Sequence, residues 1–504
     1  MPLTYALALL AASGCVAAQT TGEALWPLQE YKSSLVKAPY LNVTKMGKTE
    51  PGYLFFSPSD SLRGDSYPTI YSDDGQLVWQ GKAGNISALQ PQMLDGEPVI
   101  AYWDGYSAFG YGFGHITVLN SSYNEIHRIT LDCDENNFVT PFDGVSIDSC
   151  IDIHESQITE DGTVLVTAVN VTQADLSSIG GAKDGWIQDG LVYEIDIKTN
   201  QVLFRWSEYE HVNELPMSAA IAPLGARGAG SGTNQSDPWG YPHINSIAKY
   251  GDSYLVSSRY MCSILFIAQN GSIEWHLDGR TGGDFELTLD TSFCYQHDVR
   301  FQSQSPERVT LGLHNNDNTE FTGNAYLTTG MVLELALQGS KQVTLKRRMW
   351  DAAEPVFANS QGSYQPLGTN GHVLMEHGAT PKIEEYDGDG TITMRARFGY
   401  DNTMQTYRAY RYPWVGRPAT KPDVVACLSD AGNNTAVYVS WNGATDVESW
   451  KVYSGSQVKK TALRNGFETA ILVEGLSSND SVVVEAVGGV GDGTRSASVT
   501  VQSC

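Results

Sequence analysis

Three stretches of this chain share one register. In HESQITEDG, HINSIAKYG and SYQPLGTNG (residues 154–162, 243–251 and 363–371), a strand-like run opens eight residues before a turn glycine. Asx-Gly pairs recur at Asp74-Gly75, Asp161-Gly162, Asn270-Gly271, Asn370-Gly371 and Asp389-Gly390, and they supply the positive φ that tight hairpins need. A second theme is GQLVW at 75–79 and GSIEW at 271–275, with VLFRW at 202–206 close to it. One such hairpin unit cannot bury its own apolar surface, so units have to stack on one another. A period of roughly 40–50 residues with several strands per unit is that of a β-propeller. Six units are expected, opening near Tyr53, Ala88, Ile151, Tyr241, Tyr295 and Tyr364. A seven-bladed ring also fits the spacing. A large β-sandwich is the rival, and it leaves the shared register unexplained.

The texture changes after Pro418. RPATKP reads as a linker, and 423–504 shows short alternating runs such as AVYVSWNG, ETAILVEGL and SVVVEAVG. This stretch resembles a fibronectin type III sandwich, with Trp441 as its core tryptophan. The expected fold class is therefore all-β: a six-bladed β-propeller followed by a small immunoglobulin/fibronectin III-like β-sandwich. The expected divisions are a signal peptide at 1–18, the propeller at 19–417, a linker at 418–422 and the sandwich at 423–504.

The signal peptide reading rests on TYALALLAASGCVAA, which is apolar, too short to span a bilayer, and followed by a small-residue cleavage site at Val16-Ala17-Ala18. No membrane span is expected, and the mature chain is read as extracellular. Six cysteines follow Cys15, an even number that suits disulfides in an exported protein. Six cysteines allow 15 connectivities; nearest-neighbour pairing gives Cys133–Cys150, Cys262–Cys294 and Cys427–Cys504. Sequons at Asn42, Asn85, Asn120, Asn170, Asn234, Asn270, Asn433 and Asn479 fit the same route. A formal net charge of −25 argues against nucleic-acid partners, though a local cationic pocket for a small anion is compatible with it. Oligomeric state has no sequence signal.

The ten histidines sort by their place in the repeat. His154 and His243 open equivalent strands, and His297, in CYQHDVRF, opens the next unit in the same way. Innermost propeller strands line the channel, so three imidazoles are expected to converge there. If the 243–259 hairpin turns about Gly251, Arg259 lies opposite His243. Asn245 is two residues from His243 and is expected on the same strand face. His314 lies 17 residues after His297, nearly the Arg259 register, so His314 or Asn315 is expected to approach the channel. Asp298, adjacent to His297, should point away from it. His115, His127, His211, His276 and His372 are read as packed or surface residues, and His377 is left open.

Three histidines and an amide admit a metal site, but Arg259 would place a fixed positive charge beside the ion with no carboxylate in register to balance it. The reading preferred is an oxyanion site: a planar guanidinium fork, imidazolium and amide donors, and one neutral imidazole able to act as a nucleophile. No metal or other cofactor is expected.

These residues carry a family resemblance. His154 in DIHESQITEDG, HINS at 243–246 followed by SSR at 257–259, and QHD at 296–298 resemble the arylsulfotransferase family over roughly residues 25–415, most closely its fungal branch. The resemblance implies a six-bladed propeller that moves a sulfuryl group from a phenolic sulfate ester to another phenol without a nucleotide donor. It implies His297 as the nucleophile, forming a sulfohistidine. His154, His243, Asn245 and Arg259 would bind sulfuryl oxygens and assist proton transfer, with small aromatic sulfates and phenols as the partners. Two other readings stay open: a non-catalytic extracellular propeller binding glycans or aromatics, and a natural-product biosynthetic enzyme on the same fold.

Overall fold

The computed structural model describes residues 25–504 apart from 143, 227, 320, 322–325 and 429–433. The expected signal peptide at 1–18 and the sequon at Asn433 lie outside the described residues. The described chain is all-β, interrupted only by short 3-10 turns such as Tyr209–His211. No described helix is long and apolar enough to cross a membrane.

Up to Tyr412 the principal strands form six antiparallel four-stranded sets. The second is Ile86–Leu94, Glu97–Ala108, Tyr111–Leu119 and Glu125–Ile129; the third is Ile151–Ile158, Thr163–Ala174, Gly185–Asp196 and Val202–Ser207. These two are continuous through a single pairing of Gly114 with Ile151. The fourth is Ile244–Tyr250, Ser253–Ser258, Ser263–Ile267 and Ile273–Asp278; the fifth is His297–Gln304, Arg308–Asn315, Thr329–Ala336 and Val343–Met349. The sixth, Ser363–Leu367 to Ile392–Arg397, gains Asn42–Lys45 as a fifth strand.

The first set departs from the sequence reading. Tyr53–Phe56 is its second strand, because Ala409–Tyr412, from far along the chain, pairs outside it. The local hairpin signal marks Tyr53 as a beginning, since nothing nearby in sequence reveals a partner more than 350 residues away.

All five Asx-Gly pairs lie in turns between consecutive strands. At Asp161-Gly162 the glycine amide donates to Thr159 O (3.2 Å), and only the glycine has positive φ (75°). The turn is thus a type I turn closed by a left-handed glycine, not a two-residue primed turn. Gly75 (φ 89°) has a second constraint: a Cβ there would meet Leu41 O at 2.3 Å.

The apolar core lies between successive sets. One cluster joins Ile264, Phe266, Trp275 and Leu277 of the fourth to Val299, Leu311 and Leu333 of the fifth. Another joins Trp103 and Val118 of the second to Val164 and Leu191 of the third. Strands covered on both faces need apolar residues at consecutive positions, which is why SILFI (263–267) is buried throughout.

Beyond the linker, Asp423–Leu428, Asn434–Ser440 and Glu468–Glu474 form one sheet. Gln457–Leu463, Ser449–Ser454, Ser481–Val487 and Val499–Thr500 form another. The two share a core containing Trp441, Trp450, Val437, Val452, Ile471 and Val484. Trp450, not named from sequence, is buried more completely than Trp441. This unit docks on the first and second sets: Gln80 of the first exchanges hydrogen bonds with Asn442 (3.0 and 2.9 Å), and Tyr123 of the second donates through Oη to Gly443 O (2.8 Å). Disulfides join Cys133–Cys150, Cys262–Cys294 and Cys427–Cys504. Of the described sequons, Asn42, Asn85, Asn234, Asn270 and Asn479 are exposed; Asn120 and Asn170 are half-buried.

Candidate functional site

Four side chains named from the repeat meet where the third, fourth and fifth sets begin. His154 lies in Ile151–Ile158, His243 directly precedes Ile244–Tyr250, and His297 opens His297–Gln304. The rings of His154 and His243 are 4.8 Å apart, and Tyr407 lies 5.5 Å from His154 and 6.5 Å from His297. Arg259 reaches the same place because its amide donates to His243 O (2.9 Å), the pairing expected from the turn at Gly251. The register then shifts by one between Ile244 and Ser246. The site is closed: His154, His243 and His297 are 5% exposed or less, and Arg259 is 9% exposed.

Each imidazole has a distinct environment. His154 Nδ1 is held by Asp152 Oδ2, which also accepts from Thr167 Oγ1 (2.9 Å), while Asp152 Oδ1 accepts from Gly112 N (2.6 Å). This corrects the expectation that no carboxylate is in register: Asp152 precedes His154 by two residues, on the same strand face. His243 packs between Tyr111 (4.5 Å) and Tyr260 (4.7 Å), with no partner for Nδ1 among the described residues. It has a left-handed backbone (φ 71°), uncommon for a non-glycine residue and a mark of functional positions. His297 contacts Asn316 Oδ1 through Nδ1 (2.8 Å), and its Nε2 accepts from Gln361 N (3.1 Å). Burial, with Arg259 and neighbouring histidines adding to it, holds His243 and His297 well below the usual histidine range. Both are therefore neutral near pH 7, so the imidazolium donors expected from sequence are not these two.

Arg259 is the one guanidinium here without an acidic partner among the described residues. Its Nη2 donates to Asn359 O (3.0 Å), its Nε is buried without a partner, and its fork lies over Tyr295 (4.1 Å) and Tyr260 (5.0 Å). Two other buried polar atoms that interact with its charge are orphaned, His243 Nδ1 and Tyr111 Oη. Buried polar groups are nearly always paired, so unpaired ones beside a fixed positive charge set this place apart from the rest of the core. Among the described residues no three His, Cys, Asp or Glu side chains are arranged to hold a metal ion.

Two sequence-named residues are placed differently. Asn315 is not a channel residue: its Oδ1 accepts from Cys294 N (3.1 Å). Asn316 is the residue that enters the site, since His314 and Asn316 share a face and Asn315 takes the other. Asn245 spends an amide proton on Gln296 O (2.7 Å), bracing the residue before His297. His314 pairs directly with His297 across the hairpin. His377, left open above, is buried and contacts His314 Nε2 (3.3 Å). Asp298 turns away as expected, to Arg300 (2.9 Å) and Tyr364 N (3.1 Å).

Beside the histidines is an ion cluster that sequence reasoning missed. Glu155 takes Arg300 (2.7 Å) on one oxygen and Arg408 (3.1 Å) on the other, and Asp298 contacts both arginines. Arg408 also donates to Asn245 O (2.8 Å). The third and fifth sets are thereby tied to the segment that leads into Ala409–Tyr412.

Behind the His243–Arg259 hairpin, Glu208 is fully buried, with Ser258 Oγ at 3.0 Å. Burial raises its carboxyl to about 8, and burial raises nearby Asp189 to about 7. The unfolded Glu208 releases its proton near 4.5 while the folded one keeps it to about 8, so folding stability declines across that window as pH rises. Urea unfolding midpoints at pH about 5 and about 8 should differ more for the parent protein than for Glu208→Gln, which has no proton to lose.

A model of the arylsulfotransferase (ASST) family matches residues 90–399, more than half of the chain. No curated protein matches it. Among solved structures, an α-L-arabinanase from Penicillium chrysogenum is similar at 9% identity, covering 78% of this chain and 94% of its own, with a TM-score of 0.35. A hypothetical selenium-binding protein from Sulfolobus tokodaii is similar at 8% identity (91% and 97% covered, TM-score 0.35), and Drosophila Semaphorin 1b at 10% (80% and 86%, TM-score 0.28). Likeness at this level carries no functional argument.

Proposed function

The chain belongs to the arylsulfotransferase family, and on that premise we propose that it moves a sulfuryl group from an aryl sulfate ester to a phenol, through a sulfohistidine at His297 and without a nucleotide donor. The observation that carries this reading is Arg259: a buried guanidinium with no acidic partner among the described residues, set among three imidazoles.

In the first half-reaction, His297 Nε2 forms a bond to sulfur as the sulfur–aryloxide bond breaks, and the departing oxygen takes a proton from His154, which Asp152 orients. In the second, His154 takes the proton of the acceptor phenol, the phenol oxygen bonds to sulfur, and the N–S bond breaks. Arg259 and His243 hold the sulfuryl oxygens in both. Sulfuryl transfer, like phosphoryl transfer, proceeds through a loose transition state, so positioning and fixed donors supply most of the rate. His297 Nε2 accepts from Gln361 N in the closed site; the segment carrying Gln361 has to release it before attack.

The same reading extends to the whole chain. The six four-stranded sets form a closed six-bladed propeller over 19–417, locked by the Ala409–Tyr412 and Asn42–Lys45 pairings. After the linker at 418–422, residues 423–504 are a fibronectin III-like module. The protein is secreted after loss of 1–18, of the fungal type, and glycosylated at exposed sequons. Disulfides support this route.

The test is to incubate the protein with an aryl sulfate and search its peptides by mass spectrometry. A sulfuryl adduct on His297 that is discharged by added phenol is the expected result. An adduct on another residue, or none while transfer proceeds, would overturn the histidine route.

A further inference from the structure

The hydrogen bonds behind His297 determine which of its nitrogens carries the lone pair. Asn316 Nδ2 donates to two backbone carbonyls, Ala358 O (2.9 Å) and Gln361 O (3.1 Å). Carbonyls only accept, so the amide orientation is settled and Oδ1 faces the imidazoles as an acceptor. Both His297 Nδ1 (2.8 Å) and His314 Nδ1 (3.2 Å) meet that one oxygen, so both carry protons there. His314 then has only an Nε2 lone pair, which accepts from His377 Nδ1 (3.3 Å). His377 Nε2 in turn faces Glu384 Oε2 (2.9 Å), and Glu384 is further held by Tyr386 Oη (2.5 Å) and Lys382 (2.6 Å). With His377 carrying protons on both nitrogens as the ion-pair partner of Glu384, the chain Glu384–His377–His314–Asn316 has one consistent proton assignment, and it ends at His297.

We propose that Asn316 is a positioning residue that, together with the Gln361 amide donating to Nε2, locks His297 in the Nδ1–H tautomer, with Glu384, His377 and His314 fixing Asn316. The inference rests on the sulfuryl-transfer reading for its catalytic consequence, but its structural content stands without it. When Nε2 bonds to sulfur the imidazole ring becomes cationic, and its remaining N–H points at the Asn316 carbonyl dipole, which stabilises that charge without itself taking a proton. A carboxylate in this place would raise the basicity of Nε2 and so protonate a larger share of it near pH 7. The depressed basicity of His297 and of His314, the latter held down to about 3 chiefly by burial, agrees with neutral rings.

Asn316 also braces the 358–361 segment, so a merely structural role has to be separated. Asn318 provides the control: its Nδ2 donates to the same Ala358 O (2.9 Å) and reaches neither imidazole. Nitrogen-15 spectra of histidine-labelled protein are expected to show His297 with protonated Nδ1 and bare Nε2. Asn316→Ala removes the Nδ1 acceptor and also frees Gln361 from its bond to Asn316 Nδ2, so it should mix the tautomers, and Asn318→Ala should not. With an aryl sulfate and a phenol, Asn316→Ala should lower kcat roughly 10²–10⁴-fold with KM changed little, and Asn318→Ala should stay within about threefold of the parent. A parent spectrum with protonated Nε2 would overturn the proposal even if Asn316→Ala does not fold. So would an unchanged tautomer in Asn316→Ala, or equal loss of kcat in both variants. Absence of transfer by the parent protein alongside the expected tautomers would strike the sulfuryl reading and leave the positioning role standing.

Discussion

His297→Ala is expected to reduce aryl sulfate turnover by roughly 10⁴-fold or more, the scale seen when a covalent nucleophile is removed. The donors proposed to bind the sulfuryl oxygens remain in that variant, so aryl sulfate should still bind, and the loss should fall on kcat. The side chain is buried beside Arg259 and accepts from Gln361 N, so truncation also costs packing. Retained fold, judged by far-ultraviolet circular dichroism and the urea midpoint, is part of the measurement. A folded His297→Ala protein with turnover within about tenfold of the parent would remove His297 from the chemistry. The pH dependence carries the matching sign. In the proposed transfer His297 reacts as the neutral ring, and burial with Arg259 holds its basicity well below the usual histidine range. The acid limb belonging to His297 should therefore fall below pH 6.5, where an ordinary histidine would place it.

Glu155→Ala should be the most destabilising single substitution in the site region. Glu155 is fully buried and faces Arg300 and Arg408, with Ile247 N (3.2 Å) and Ser156 N (3.0 Å) also donating to it. Its loss leaves the buried Arg408 and the part-buried Arg300 with Asp298 as their one acidic partner among the described residues. Removing one partner of a buried ion cluster costs about 3–5 kcal/mol, because the charges left behind stay buried. The urea midpoint should fall accordingly. A change under about 0.5 kcal/mol would mean that water enters the cluster and solvates it. Because Arg408 directly precedes Ala409–Tyr412, the variant should also loosen the pairing of that strand with Tyr53–Phe56, visible as faster amide exchange at Leu54–Phe56.

Much of the site was legible in the repeat register. His154, His243 and His297 lie at or near the starts of the first strands of successive sets, and the turn glycines place Arg259 against His243. What escaped has a common origin. Asn316 was missed in favour of Asn315 although strand alternation from His314 selects the former. Asp152 was overlooked two residues before His154 by the same rule. Gln361 and Asn359 act through backbone atoms, and a backbone amide leaves no trace in residue identity. Arg408 lies in TYRAYRY, where nothing local says that it crosses to Glu155, 253 residues away.

By itself, the sequence determined the all-β class, the hairpin period, the change of texture after Pro418 and the set of imidazoles with their arginine. Each follows from patterns within a few turns of chain: alternation, Asx-Gly punctuation and repeat spacing. Only the tertiary structure decided which strand begins the first sheet, which oxygen holds His154 and His297, and that Arg259 is left without an acid among the described residues while Arg300 and Arg408 are neutralised. Those outcomes depend on which distant segments come within hydrogen-bonding distance, and hydrogen bonds and buried charges select partners by a few ångströms of geometry that no local pattern records.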